Sequence, residues 1–182
     1  MYFRLQFLYA GGETLLHFLR RLGMTPAIDL VVKKKVKHII HEYQHESEVA
    51  KNESYGLEAA HKLGISADQV FKTLVVNLDH KELAVAVIPA SAKLSMKLIA
   101  KAAKTKKAAM ADKQDVERST GYVLGGVSPL GQKKRLRTFI DGSAQNFATI
   151  FVSAGKRGLD IELDSEELKQ LLSAQFVELK AS

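Results

Sequence analysis

Two runs dominate the hydrophobic pattern of the chain. Val70–Leu78 (VFKTLVVNL) and Glu82–Pro89 (ELAVAVIP) are rich in β-branched residues, and Asp79-His80-Lys81 between them predicts a hairpin turn. Shorter apolar runs predict strands at 37–43, 107–110, 136–140, 149–153, Leu159–Leu163 and 176–179. Helical stretches fall between them. Thr25-Pro26 reads as an N-cap followed by proline at the first helical position, opening a helix that closes in lysines near Lys35. Residues 56–63 form a short predicted helix closed by Gly64, and 95–104 carry Leu98, Ile99 and Ala102 on one side. Asp112 and Asp164 cap helices that run to about Ser119 and Leu172. Helices and strands alternate irregularly, with hairpin-like neighbours. The pattern therefore predicts a mixed α/β fold: a single compact domain on a largely antiparallel or mixed sheet, with helices packed around it.

Composition narrows this only slightly. A chain of 182 residues, 46% hydrophobic and 26% charged, is ordinary for one globular domain and excludes a disordered or fibrous chain. No apolar run approaches the roughly 18 residues a membrane span needs. There is no cysteine, which excludes a disulfide scaffold, a thiolate-bound zinc and a cysteine nucleophile, and fits a reducing compartment. Residues 1–23 read apart from the rest. Their apolar run at 5–10 is short, Gly11-Gly12-Glu13 interrupts it, and Arg20-Arg21 lie on the wrong side for a secretory signal. They are expected to be an extension in front of a domain over 24–182, with Met24 as the true start, or else an amphipathic helix on the body.

Charge and candidate chemistry change the picture more. Lys and Arg total 27 against 20 acids, a net charge of +7 that favours a polyanionic partner such as nucleic acid or a phosphorylated ligand. Lys93, Lys97, Lys101 and Lys104 recur at helical spacing, Lys106 and Lys107 follow, and residues 91–111 contain no acid. Solvent faces of helices normally mix signs, so an all-lysine face points towards a polyanion. Lys133-Lys134-Arg135 reads either as phosphate contacts or as a strand edge protected by cations.

Lys72 interrupts an apolar strand and shares a face with Val70 and Leu74; because a fully buried ammonium is costly, it lies either at a pocket mouth, the reading its phase favours, or on a solvent face with odd neighbours. Residues 121–158 hold seven of the 12 glycines. Gly125-Gly126 and Ser128-Pro129 suit a backbone anion cradle or a plain structural turn about equally; neither a Walker loop nor GxGxxG is present. Ser153–Asp160 (SAGKRGLD) predicts a second glycine turn that could form an opposing pocket wall. His38, His41 and His45 are spaced so that a strand points the first two to opposite faces, so they are expected to be satisfied histidines rather than metal ligands.

Four segments together resemble one family: MTPAID at 24–29, FKTL at 71–74, STGYVLGGVSPLGQKKR at 119–135 and VSAGKRGLD at 152–160. They resemble the YbaK-type aminoacyl-tRNA deacylases, and within these the bacterial Cys-tRNA(Pro) deacylases, relatives of the editing domain inserted in bacterial prolyl-tRNA synthetases. The likeness runs from Met24 to about Lys180. It implies a compact mixed α/β fold with one deep pocket, and hydrolysis of the ester joining cysteine to tRNA(Pro). It implies catalytic roles for Lys72, acting electrostatically on the aminoacyl-adenosine end, for Gly125, positioning substrate by its backbone, and for Tyr43 and Asp160 in the pocket. Thr73, Gly126, Ser128, Ser153, Gly155 and Arg157 are implied as substrate-binding neighbours. The lysines at 93, 97, 101 and 104, with Lys133, Lys134 and Arg135, would contact the tRNA. The resemblance further implies no metal or cofactor, attack by the substrate's own thiol, and a cytoplasmic ternary complex with mischarged tRNA(Pro) and prolyl-tRNA synthetase, without membrane or DNA. From the residues alone, a non-catalytic tRNA- or nucleotide-binding module stays open.

Overall fold

The computed structural model describes residues 2–7 (as a strand), 24–45 and 55–181. Its elements are β1 (Tyr2–Phe7), α1 (Pro26–Lys33), β2 (His38–Tyr43), α2 (Tyr55–Leu63), β3 (Val70–Leu78), β4 (Glu82–Pro89), α3 (Met96–Ala103), β5 (Ala108–Met110), α4 (Lys113–Thr120), β6 (Arg137–Asp141), a 3₁₀ turn (Gly142–Asn146), β7 (Ile150–Lys156), β8 (Leu159–Leu163), α5 (Ser165–Leu172) and β9 (Gln175–Val177). Local chemistry sets most boundaries. Thr25, Ser95, Asp112 and Asp164 each accept a hydrogen bond from a backbone N–H of the first helical turn. Asp79-His80-Lys81 close the β3–β4 hairpin between the paired Leu78 and Glu82; Asp79 and His80 are left-handed at φ 51° and 56°, and Lys81 N–H donates to Leu78 O. The Asp79 carboxylate then accepts from the N–H groups of Lys106 and Lys107, tying the turn to β5.

The strands form one mixed sheet in the order β1-β2-β8-β7-β3-β4-β6-β9, with β5 paired to β3. The antiparallel pairs are β1–β2, β2–β8, β7–β8, β3–β4 and β3–β5; β3–β7, β4–β6 and β6–β9 are parallel. Side chains alternate cleanly between two covered faces. Phe71, Val75, Val85, Val87, Ile140 and Val152 point into a cluster with Ile28 and Val31 of α1, Val116 of α4 and Leu168 of α5. Their neighbours Val76, Ala84, Ala86, Ile88 and Phe139 point the other way, onto Ile99 and Ala103 of α3. On that second face Val70, Ala90 and Phe151 pack against Ala59 and Ala60 of α2. Thus α2 and α3 share one face, and α1, α4 and α5 share the other.

One irregularity in this sheet matters most. One edge of β3 pairs with β7 only at Val70 and Phe71, and with β5 only from Val76 to Leu78. The two neighbours diverge between these points, which opens the sheet beside residues 72–74.

The structure departs from the sequence expectations at three places. Residues 2–7 pair with β2 over six positions as an edge strand, Tyr2↔Tyr43 to Phe7↔His38, rather than forming a helix; residues 8–23 lie outside those described. Lys133, Lys134 and Arg135 sit in a loop, because the N–H groups of Lys133 and Lys134 bond Thr120 O and Ser119 O, so the edge-strand reading fails for them. The last strand ends at Val177, because Leu179 N–H donates to the buried Asp141 carboxylate and Leu179 O accepts from Ser95 N–H.

Candidate active site

The gap in the sheet opens into a cavity of about 260 Å³. Its floor is β3 from Val70 to Leu74. Its walls are the end of β2 (Tyr43, His45), the first turns of α2 (Tyr55, Glu58, Ala59), the tip of the β7–β8 hairpin and the loop segment Leu124, Gly125 and Val127. Residues from both faces of β3 line it, as the parting of β5 from β7 allows.

Lys72 lies on the β3 face between Val70, which packs under α2, and Leu74, which packs under α3. The side chain is half-buried, and Nζ donates to Ala90 O at 3.0 Å. Among the described residues it has no carboxylate partner, and desolvation lowers its pKa from the ordinary lysine value. An ammonium held at an apolar wall without a counter-ion is poised to receive an anionic group. Next to it in sequence, on the opposite face of β3, the Thr73 hydroxyl is buried with no hydrogen-bond partner among the described residues.

The opposite wall is acidic. Asp160 is 5% exposed and accepts a hydrogen bond from the Tyr43 hydroxyl. Burial raises the carboxyl to about 7, with the Tyr43 bond pulling the other way. Burial, followed by the Asp160 charge, pushes the Tyr43 phenol up as well, so it stays a donor at neutral pH. Glu58, 4% exposed, pairs with His45 Nδ1 at 2.8 and 3.1 Å.

The rim is closed by a stack. The Arg157 guanidinium lies 4.5 Å from the centroid of the Tyr55 ring and donates to Leu124 O at 2.9 Å. Gly125 passes beneath both. A Cβ there would fall 2.5 Å from the Tyr55 ring and 2.8 Å from Arg157 Nε, and its φ of +93° is a glycine conformation.

The expected residues divide accordingly. Lys72, Gly125, Tyr43, Asp160, Thr73, Ser153 and Arg157 converge on the one cavity. Gly126 stands behind it, spacing the loop from the hairpin backbone at Lys156 and Arg157. Ser128 is fully buried, its Oγ accepting from Leu130 N–H. Gly155 sits at a bulge in β7 with φ +94°, where a Cβ would meet the Tyr122 ring at 2.4 Å. Neither Ser128 nor Gly155 lines the cavity. The cationic residues divide by face: Lys93, Lys97, Lys101 and Lys104 are exposed on or beside α3, and Lys133, Lys134 and Arg135 lie exposed on the α1–α5 side. His41 bonds Glu162 at 2.7 Å and stacks on Phe151 at 4.9 Å. No group of three potential metal ligands occurs among the described residues.

The sequence pattern did not mark Tyr55 or Glu58, and it marked His45 only as a satisfied histidine. A signal for the first two exists: Tyr55, Glu58 and Ala59 fall at i, i+3 and i+4, one stripe of α2, which brings a tyrosine and a carboxylate to the side that carries its buried alanine.

Residues 53–171 match the family model of the aminoacyl-tRNA editing domain. The chain belongs to this family. A protein of Enterococcus faecalis provisionally named Cys-tRNA(Pro)/Cys-tRNA(Cys) deacylase EbsC is 39% identical over 155 residues, spanning 85% of this chain and 92% of that protein. The uncharacterized protein YwhH of Bacillus subtilis is 30% identical over 115 residues, 62% of this chain and 71% of that protein. Among solved structures, a protein provisionally described as a trans-editing enzyme for prolyl-tRNA synthetase shares the fold, with a TM-score of 0.70 at 20% identity over 95% of this chain and 100% of that one. In this editing domain the matched span includes β3, the glycine loop and the β7–β8 hairpin, which supply most of the cavity wall. The end of β2, with Tyr43 and His45, precedes it. Among the described residues no helix is long and apolar enough to cross a membrane.

Proposed function

We propose that this editing domain acts in trans as a deacylase that clears cysteine from mischarged tRNA(Pro). The observation that carries the reading is Lys72: a half-buried ammonium, desolvated and without a carboxylate partner among the described residues, on the wall of a cavity sized for a small aminoacyl group. The relative named for Cys-tRNA deacylation, which this chain spans over 92% of its length, supports cysteine as the amino acid.

In this account the aminoacyl ester enters past the Tyr55–Arg157 rim. Its cysteine thiol attacks its own carbonyl carbon: a C–S bond forms, the C–O bond to the terminal ribose breaks, and the thiol proton passes to the departing ribose oxygen. The products are uncharged tRNA and a thiolactone that water opens to free cysteine. Lys72 stabilises the negative charge that gathers on the oxygens. Such preorganised donors contribute about 3–4 kcal/mol each in a water-excluded site. Tyr43 and Asp160, bonded to each other, shape the wall that faces the amino acid. Prolyl-tRNA synthetase is the partner that delivers the mischarged tRNA.

The experiment is a panel of acylated tRNAs, one deacylation rate each, with cysteine, alanine and proline on tRNA(Pro). The proposal expects the cysteinyl ester to be cleared at least tenfold faster than the alanyl ester, which lacks the thiol. Tight, salt-sensitive tRNA binding with no turnover of any ester would overturn it in favour of a binding module.

A further inference from the structure

We infer that the acceptor stem of the bound tRNA runs along the lysine row of α3, and that the second cationic cluster, Lys133 to Arg135, serves a different surface. The inference rests on the deacylase reading for the identity of the RNA; the direction of the stem comes from the fold.

The even-numbered residues of β3 decide the matter. Val70, Lys72, Leu74 and Val76 lie on one face, with α2 over the first and α3 over the last two. Lys72 therefore stands in the saddle between the two helices that cover that face. Its Nζ is bonded to Ala90 O, three residues before Lys93. From there Lys93, Lys97, Lys101 and Lys104 follow, all exposed, while Ile99, Ala100 and Ala103 of the same helix are buried. At 1.5 Å rise per residue, Lys97, Lys101 and Lys104 span about 10 Å of a single row. None of these lysines is paired with a carboxylate among the described residues. Two acids lie near the ends of the row: Asp68 accepts from Ser91 Oγ, and Asp79 accepts from the N–H groups of Lys106 and Lys107. Lys97, Lys101 and Lys104 are thus exposed cations without carboxylate partners among the described residues, on the helix that covers the same face of β3 as Lys72, a surface complementary to a phosphate backbone.

The other cluster faces away. Lys134 and Arg135 line an open groove of about 610 Å³ between α1 and α5, with Leu30, Leu136 and Leu171 along it. These leucines pack on the cluster built from the odd-numbered side of β3, Phe71 and Val75. Arg135 donates to Ser173 Oγ, and Glu167 joins the same groove. A duplex lying on α3 with its end at Lys72 is separated from this groove by the sheet.

The test is direct binding of uncharged tRNA(Pro) at 50 to 200 mM KCl, with wild type, the double variant Lys97→Ala/Lys101→Ala and the double variant Lys134→Ala/Arg135→Ala. At ~0.9 in log–log slope per phosphate contact, the α3 variant is expected to flatten the salt dependence by about 2 and to weaken binding tenfold or more at the low-salt end. The groove variant is expected to keep the wild-type slope. Hydrolysis of cysteinyl-adenosine, which lacks the stem, and the melting temperature show whether the α3 variant is folded with its cavity intact. Loss of slope in the groove variant, or an unchanged slope in the α3 variant, overturns the inference. So does failure of wild type to bind tRNA(Pro). A wild type that binds with the expected slopes but releases no cysteine refutes the deacylase reading while leaving the stem assignment standing.

Discussion

Asp160 gives the most quantitative consequence of the site's geometry. Its carboxyl is buried in the wall opposite Lys72, and desolvation raises it from 3.8 to about 7, against the opposing effect of the Tyr43 hydrogen bond. In the unfolded chain the same group ionises near 3.8. Folding therefore takes up a proton between the two values. The stabilisation this protonation supplies is complete below the unfolded pKa and is lost as pH rises through the folded one. A gap of about three pK units corresponds to ~4 kcal/mol, of which ~3 kcal/mol falls between pH 5 and pH 8. Asp160→Asn keeps the side-chain shape and an acceptor for Tyr43 but removes the ionisation. Urea unfolding of both proteins at pH 5 and pH 8 measures the difference. The wild type should lose about 3 kcal/mol relative to the variant over that interval, leaving Asp160→Asn the more stable protein at pH 8. Two pH profiles that run parallel would refute the burial argument, and with it the picture of Asp160 as a carboxyl that carries its proton well above the usual carboxylate range.

Other substitutions probe separate links of the account. Gly125→Ala places a methyl against Tyr55 and Arg157 in a left-handed conformation, a strain of ~1–2 kcal/mol that forces the rim to shift; kcat/KM for Cys-tRNA(Pro) should fall about tenfold, and an unchanged value would mean that the loop does not position substrate. Arg157→Ala removes the cation–π stack and the bond to Leu124 O, a loss of ~1 kcal/mol, and should raise KM about fivefold with kcat retained. Thr25→Ala deletes both the α1 cap and the tie to Ala154 O and should cost ~1–2 kcal/mol in urea unfolding, with no change in the pH at which activity is greatest.

The sequence carried the local structure well because the signals were local. Val70–Leu78, Glu82–Pro89 and Ser165–Leu172 fall where hydrophobic alternation and the Asp164 cap put them, and Lys72, whose phase against Val70 and Leu74 pointed to a pocket mouth, lines the cavity. What local signals could not carry was the third dimension. The parting of β5 from β7 that opens the cavity depends on pairing partners far apart in the chain. Ser128 and Gly155 stand in the same glycine-rich segments as Gly125 and Ser153, yet they serve the buried turn and the Tyr122 contact, a distinction set by which side of the backbone faces the cavity. The partition of the lysines between two faces was likewise invisible until the alternation of β3 had been matched to the helices above and below it.

The most direct test of the central claim is the rate at which purified protein releases cysteine from Cys-tRNA(Pro), measured for wild type and for Lys72→Ala side by side. If Lys72 supplies the uncompensated positive charge on which the chemistry depends, the variant should lose about 10²–10³ in kcat, the loss seen when one preorganised charge-stabilising group is removed, with its melting temperature close to wild type. Equal rates for the two proteins, or a wild-type rate no faster than spontaneous hydrolysis of the ester, would contradict the account.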